Sequence, residues 1–508
     1  MRLDSLATRA RTSLAALAAA LAVVAGPGAA SAAARPVAAP VKPARVPNVL
    51  VDPDNSIIGA HNTPDLAQNP TRGTNLVVTD RVDLPDYSAT VHVSADGGRT
   101  WGASPLPVPG GQGEKLYAAQ AAFDARGTLF VLFVTLSGPG NGPDSLWIVR
   151  SGDGGLTFSA PSKVTGPDAF QAALALDRHT GRLFAAWLQS DAEASACLLC
   201  FGKTNLPIVV SHSDDEGATW SAPVAVSEGR ERVGAPVLRV DDDGNPVVLY
   251  VDFGDDQVDW QNLEGVANSD WSLVLTRSPD QGATFGPGQV VDDGVVAPYR
   301  FLIYLPPKPS MVVSGTSVVV AWTDGRSGSP AVLVRRSANR GATWTAPVRV
   351  GAAGTRSDLP ALSASSGGRV DVLYYQGAES GTDAQVMLAS SGDGGRHFGR
   401  TVQVSTAASN RKVGPKFSLL QQDADFGSGI VLRPDGRNVL AAWTDTRNGT
   451  LDTARQDVFF AVVARAGAGH GLLIAVSALG GALGVAGIAL FLLARSRSRA
   501  TPTEPPPA

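Results

Sequence analysis

The chain has 508 residues, 44% of them hydrophobic, with 56 glycines, 35 prolines and two cysteines. That length would hold two to four ordinary domains, and the glycine and proline content fits a turn-rich, all-β fold with a large core. The formal charge is −4, and because both ends are basic the body is more acidic still, which argues against nucleic acid as the partner.

Residues 1–32 read as a secretory signal peptide. Arg2, Arg9 and Arg11 form a basic start, "SLAALAAALAVVA" (Ser13 to Ala25) is a short apolar core, and Ala30 to Ala32 suits signal peptidase. Residues 33–46 form an Ala/Pro-rich linker with no pattern to bury. "VPNVLVD" (Val46 to Asp52) then reads as a lone β-strand.

From there the chain repeats itself. The pattern Ser-x-Asp-x-Gly-x-Thr-aromatic starts at Ser94, Ser151, Ser213, Ser278, Ser337 and Ser391, with Asn339 for Asp in the fifth copy and His397 for Thr in the sixth. Successive starts lie 57, 62, 65, 59 and 54 residues apart, and such a period marks a repeat architecture. Around the fifth copy, "PSMVVSG", "SVVVAWTD", "AVLVRRS" and "APVRV" are four short apolar runs separated by turn residues. They predict a four-stranded antiparallel sheet with the motif between strands three and four. A carboxylate or amide in a tight turn accepts backbone N–H groups that a hairpin leaves unpaired. Asp96, Asp153, Asp215, Asp280, Asn339 and Asp393 are therefore structural.

The motif resembles the Asp-box, or BNR repeat, of the sialidase-like β-propellers, and the resemblance covers 47–466. It implies a ring of four-stranded blades. The first two strands of a blade recur seven times, starting with "PDLAQNPTRGTNLVVTD" and ending with "GIVLRPDGRNVLAAWTD". The seventh continues to "QDVFFAVV" and has neither box nor fourth strand, so "VPNVLVD" is expected to complete it. The expected fold is a seven-bladed β-propeller; six blades plus a hairpin, closer to familiar sialidases, is the alternative.

In such a ring the links between strands two and three share one face with the blade-to-blade links, and the boxes lie opposite. Two second-to-third links are long, Leu188 to Pro207 and Asp252 to Trp271, and long loops on a tightly turning scaffold carry function. Three strand ends carry similar letters, "VTDR", "WTDGR" and "WTDTR". Asp80, Arg81, Asp324, Arg326, Asp445 and Arg447 are thus ligand-binding candidates, together with Asp252, Asp255 and Arg356. Planar guanidinium groups suit bidentate carboxylate binding, and in sialidases three arginines grip the substrate carboxylate. The same residues also suit scaffold ion pairs.

The resemblance to the sialidase catalytic machinery stops there. The stretch "NSIIGAHNTPDLAQNPTRG" ahead of the first box lacks the Arg-Ile-Pro motif. Tyr374 and Tyr375 lie within a strand, and Asp80, Asp252, Asp255 and Asp358 are equivalent as acids. No catalytic residue is assigned, because glycoside chemistry needs an activated nucleophile and a placed acid.

Asp252, Asp255 and Asp256, and again Asp423 and Asp425, are candidate Ca²⁺ ligands, without EF-hand spacing; no cofactor is required and no metal site is assigned. Cys197 and Cys200 ("CLLC") are expected to form a local disulfide bracing the first long loop. Residues 470–494 read as a transmembrane helix: Gly471 to Ala494 carries no charge and would run about 36 Å, enough to cross a bilayer of about 30 Å. "RSRSR" follows, so residues 495–508 form the cytoplasmic tail. Gly480 and Gly484 form a G-x-x-x-G that their Gly/Ala-rich surroundings rob of weight. The whole reads as a bacterial single-pass cell-membrane protein. Its extracellular body binds a glycan or protein ligand; the alternatives are an exo-α-sialidase or related glycoside hydrolase, and a part in envelope assembly.

Overall fold

The computed structural model describes residues 47–465 apart from 54–55, 111–114, 139–140, 192–205, 257–268, 298–307, 400, 417–422 and 428. Short β-branched and apolar runs between Gly- and Asp-rich turns fold into seven antiparallel sheets. Blade 1 comprises His61–Gln68, Leu76–Val82, Ser88–Ser94 and Gly102–Ser104. Blades 2 to 6 repeat that order, their first strands being Lys115–Phe123, Ala169–Leu176, Val233–Val240, Ser310–Ser314 and Thr355–Ser365. Blade 6 adds a two-residue strand, Ser409–Asn410, paired to its third strand.

Blade 7 takes Ile430–Asp435, Asn438–Asp445 and Asp457–Ala464 from the end of the body and Val49–Leu50 from its start. Val49 lies opposite Phe460 and Leu50 opposite Phe459. The fold is thus an all-β, seven-bladed propeller, and the N-terminal strand closes it as expected. Each first strand packs beside the first strand of the next blade, and the seventh packs beside the first.

Seven apolar clusters fill the seams between adjacent blades. Second strands are buried on both faces, as in Leu129–Ser137, which is why they read as nearly continuous apolar runs rather than alternating ones. In blades 1, 2, 3, 4 and 6 the first strand carries a β-bulge, with Thr63, Ala118, Gln171, Ala235 or Leu359 at φ between 50 and 53°. A bulge adds one residue and bends the strand, turning its start onto the loop face.

The six boxes share one geometry. In the first, Asp96 Oδ1 accepts from Ser94 Oγ at 2.8 Å and from Thr100 N at 3.0 Å, while Thr100 Oγ1 donates to Oδ2 at 2.7 Å. Ser94 Oγ in turn accepts from Gly98 N at 2.8 Å. Asn339 keeps this pattern, its amide nitrogen donating to Thr343 Oγ1 at 2.9 Å. The invariant glycine has a positive φ and rests on the preceding blade. A Cβ at Gly98 would meet the Phe460 ring at 2.1 Å, and one at Gly341 would meet Leu275 at 2.5 Å. Each box therefore closes its own hairpin and keys the blade against its neighbour.

Candidate functional site

Six seams carry the same aromatic plug and one does not. Counting from the strand-two residue opposite the box serine (Leu129, Leu183, Val318 and Val370), the fourth residue on is Phe133, Trp187, Trp322 and Tyr374. Tyr250 and Trp443 plug the seams of blades 4 and 7. All six are buried, each in the apolar cluster that faces the preceding blade. In blade 1, Leu76 lies opposite Ser94, and the fourth residue on is Asp80. The resemblance between "VTDR" and "WTDGR" is thus two residues out of register: Asp80 stands where Trp322 stands, and Val82 where Asp324 stands.

Asp80 is fully buried and gathers two imidazoles. His61, at the start of the first strand, places Nδ1 2.7 Å from Asp80 Oδ2, and His92, on the third strand, places Nε2 3.2 Å from the same oxygen. Strand alternation puts residues 78, 80 and 82 and their partners 92, 90 and 61 on one face. Asp52, just beyond the closing strand, brings Oδ2 within 3.6 Å of His61 Nδ1 and accepts from Val458 N at 2.8 Å. Asp52 Oδ2, Asp80 Oδ1 and His92 Nδ1 are buried without a hydrogen-bond partner among the described residues. Burial pushes the Asp52 carboxyl well above the usual range against the pull of His61. Burial would raise Asp80 too, but His61 and His92 hold it well below that range.

Above this cluster lies a cleft of about 780 Å³ on the loop face. Asp52, His61 and His92 line it, with Leu84 to Ser88 of the blade 1 link on one side and Lys115, Leu136 and Ser137 of blade 2 on another. Lys115 Nζ lies 3.0 Å from Asp86 Oδ1 and 2.7 Å from Asn141 Oδ1. Tyr87 meets Tyr117 edge to face at 5.7 Å.

The other sequence candidates are spread around the ring. Arg81, one residue from Asp80, faces the opposite seam; its guanidinium is buried between Asp83 and Asp425, each at 2.7 Å, and it also donates to the Tyr117 hydroxyl at 3.0 Å. Asp324 accepts from Trp322 Nε1 at 2.8 Å and binds Arg326, which also reaches Asp292. Asp445 repeats this with Trp443 at 2.8 Å and Arg447 at 2.7 Å. Arg356 bridges Asp358 and Asp423, at 3.1 and 3.0 Å, and Arg411 binds Asp358 at 2.6 Å. These arginines are held by aspartates of their own neighbourhoods rather than presented together to one pocket.

Asp252 is engaged by Arg230 and Asp256 by Trp271 Nε1 at 2.8 Å, while Asp255 is exposed. Asp423 and Asp425 are held by cations as described, so among the described residues neither aspartate set is gathered about a Ca²⁺-sized point. The Tyr375 hydroxyl donates to the Thr444 carbonyl at 2.6 Å and lies 3.0 Å from that of Gly429, and Tyr374 is a seam plug. Cys197, Cys200, most of both long loops, and 470–494 lie outside the described residues. Among the described residues no helix is long and apolar enough to cross a membrane.

Sequence reasoning named Asp80 but missed Asp52, His61 and His92. A register count from the box serine would have shown an aspartate in an aromatic position, and alternation would then have put His92 beside it. No family model matches the chain, and no curated protein matches it. Among solved structures it is similar to the Hadza microbial sialidase Hz136, at 15% identity over 78% of this chain and 75% of that one, TM-score 0.44. It is also similar to a PL25 ulvan lyase (11% identity, 80% and 95%, TM-score 0.48) and to a Penicillium chrysogenum α-L-arabinanase (15% identity, 82% and 97%, TM-score 0.43).

Proposed function

We propose that the chain is a bacterial, membrane-anchored cell-surface propeller that binds a glycan in the loop-face cleft beside blade 1. The observation that carries this is the cleft itself. Its volume of about 780 Å³ suits a small ligand of one to three sugar rings, since ligand pockets run from about 300 to 1,000 Å³. Tyr87 offers an aromatic face for a sugar ring, Lys115 and Asp86 offer a cation and an anion at the rim, and the floor is polar. The basic-then-apolar start of the sequence and the charge-free Gly471 to Ala494 support the surface location.

Binding is preferred to sialidase-type hydrolysis on the geometry of the named residues. Arg81, Arg326 and Arg447 are each held by local aspartates, and the Tyr375 hydroxyl is occupied by two carbonyls. A glycan array probed with the full chain tests the proposal, with Tyr87→Ala and Lys115→Ala beside it. Retention of a defined set of glycans, weakened at least tenfold in either variant, is the expected result. No glycan retained by the wild type overturns it, and turnover of a fluorogenic sialoside would replace binding with hydrolysis.

A further inference from the structure

We infer that His61, Asp80, His92 and Asp52 form a binding site for one divalent first-row transition ion of the Zn²⁺ type, at the floor of the cleft. The site stands whether or not the cleft takes a sugar.

Three observations lead to it. The first is ligand geometry. One ligand atom from each of His61, Asp80 and His92 lies within 4.8 Å of the others, and all three residues are buried. Ligand atoms about 2.0–2.1 Å from a tetrahedral ion stand about 3.3 Å apart. Here Asp80 Oδ2 is 2.7 Å from His61 Nδ1 and 3.2 Å from His92 Nε2, and Asp52 Oδ2 is 3.6 Å from His61 Nδ1. These three separations bracket the tetrahedral value, and the Asp80–His61 contact would open by about 0.6 Å on binding.

The second is charge. Asp83, Asp324, Asp358, Asp371 and Asp445, described aspartates with side chains buried this deeply, each have an arginine within 2.6–2.8 Å. Among the described residues the ion-pair partners of Asp80 are imidazoles. Two buried carboxylates with no permanent cation call for compensating positive charge, and a dication supplies it.

The third is unsatisfied polarity. Asp52 Oδ2, Asp80 Oδ1 and His92 Nδ1 are buried without hydrogen-bond partners among the described residues, and such orphans in a native structure point to an unseen ion or water. One of them, Asp52 Oδ2, is a ligand atom of the set above, and Asp80 Oδ1 is the second oxygen of a ligand carboxylate. Mixed imidazole and carboxylate ligands select a transition ion over Ca²⁺ or Mg²⁺, which prefer all-oxygen sites. Because Asp52, His61 and His92 also line the cleft, an open coordination position would face it.

The test is a Co²⁺ titration of the full chain after treatment with a chelator, followed by competition with Zn²⁺. The wild type should bind one equivalent of Co²⁺ with visible d–d bands that Zn²⁺ abolishes. Asp80→Asn and His92→Gln should weaken binding at least about 100-fold, while His212→Gln, a histidine of blade 3, should leave it unchanged. No bands, or equal affinity in Asp80→Asn and His92→Gln that keep the native circular dichroism, overturns the site. Should those variants fail to fold, X-ray absorption on the cobalt-loaded wild type decides: scattering from two imidazoles supports the site, and none overturns it.

Discussion

Six seams of the ring and the seventh, between blades 7 and 1, solve the same packing problem differently. In the six, an aromatic such as Trp187 or Phe133 fills the layer next to the loop face, apolar and fully buried. In the seventh, where the chain's two ends meet, that layer holds Asp80, His61, His92 and Asp52 under an open cleft. A repeat that keeps its plug in six places serves stability there. Replacing it once with buried ionisable groups gives up packing, and function is the usual reason for such a local exception.

The largest expected effect lies in an ordinary seam. Trp187→Ala should cost about 3–5 kcal/mol, the range for emptying a buried aromatic site, read as a fall in the denaturant midpoint. Gly98→Ala, where φ is 86° and a Cβ would run into the Phe460 ring, should cost about 1–3 kcal/mol by overpacking. At the seventh seam, Asp80→Phe with His92→Val copies Phe133 and Val149 of blade 2. It should leave the thermal midpoint unchanged or higher, since a buried ionic group replaced by packed apolar ones is often neutral or stabilising, while metal and glycan binding are lost. A marked fall in the midpoint would make the cluster a structural element and dissolve the contrast.

The smallest effect is on the box face. Hydrogen bonds from Thr100 and Ser94 bring the Asp96 carboxyl down to about 2, and those from Thr219 and Ser213 do the same for Asp215. A depressed carboxyl contributes stability that is complete above its ordinary value of about 3.9 and is lost as pH falls through about 2. Carboxyl NMR shifts should therefore give midpoints near pH 2 at these boxes, whereas Asn339 holds the fifth turn without titrating. Midpoints near 4 would show that the turns do not hold the carboxylates.

The ring was legible because its signals are local and repeated. A box spans eight residues, its hydrogen bonds run within four, and the missing fourth strand of blade 7 pointed to Val46 to Asp52 as its complement. The candidate site was legible only through Asp80. His61, Asp80 and His92 lie on three neighbouring strands, and Asp52 reaches them only because the N-terminal strand pairs with Asp457–Ala464. Matching letters misled at "VTDR" because a slip of two residues preserves the face while exchanging a plug position for a rim position. Arg81 shows the same limit differently: its partner Asp425 is 344 residues away, a distance no motif reports.

The most direct measurement sets the two regions against each other. Calorimetric titration of the strongest array glycan is made into the wild type, into Tyr87→Ala/Lys115→Ala and into Arg326→Ala/Arg447→Ala. Binding at the seventh seam requires that the first pair lose affinity at least tenfold and that the second keep it. Affinity lost in the Arg326/Arg447 pair and kept in the Tyr87/Lys115 pair would contradict the account and move the site to blades 5 and 7.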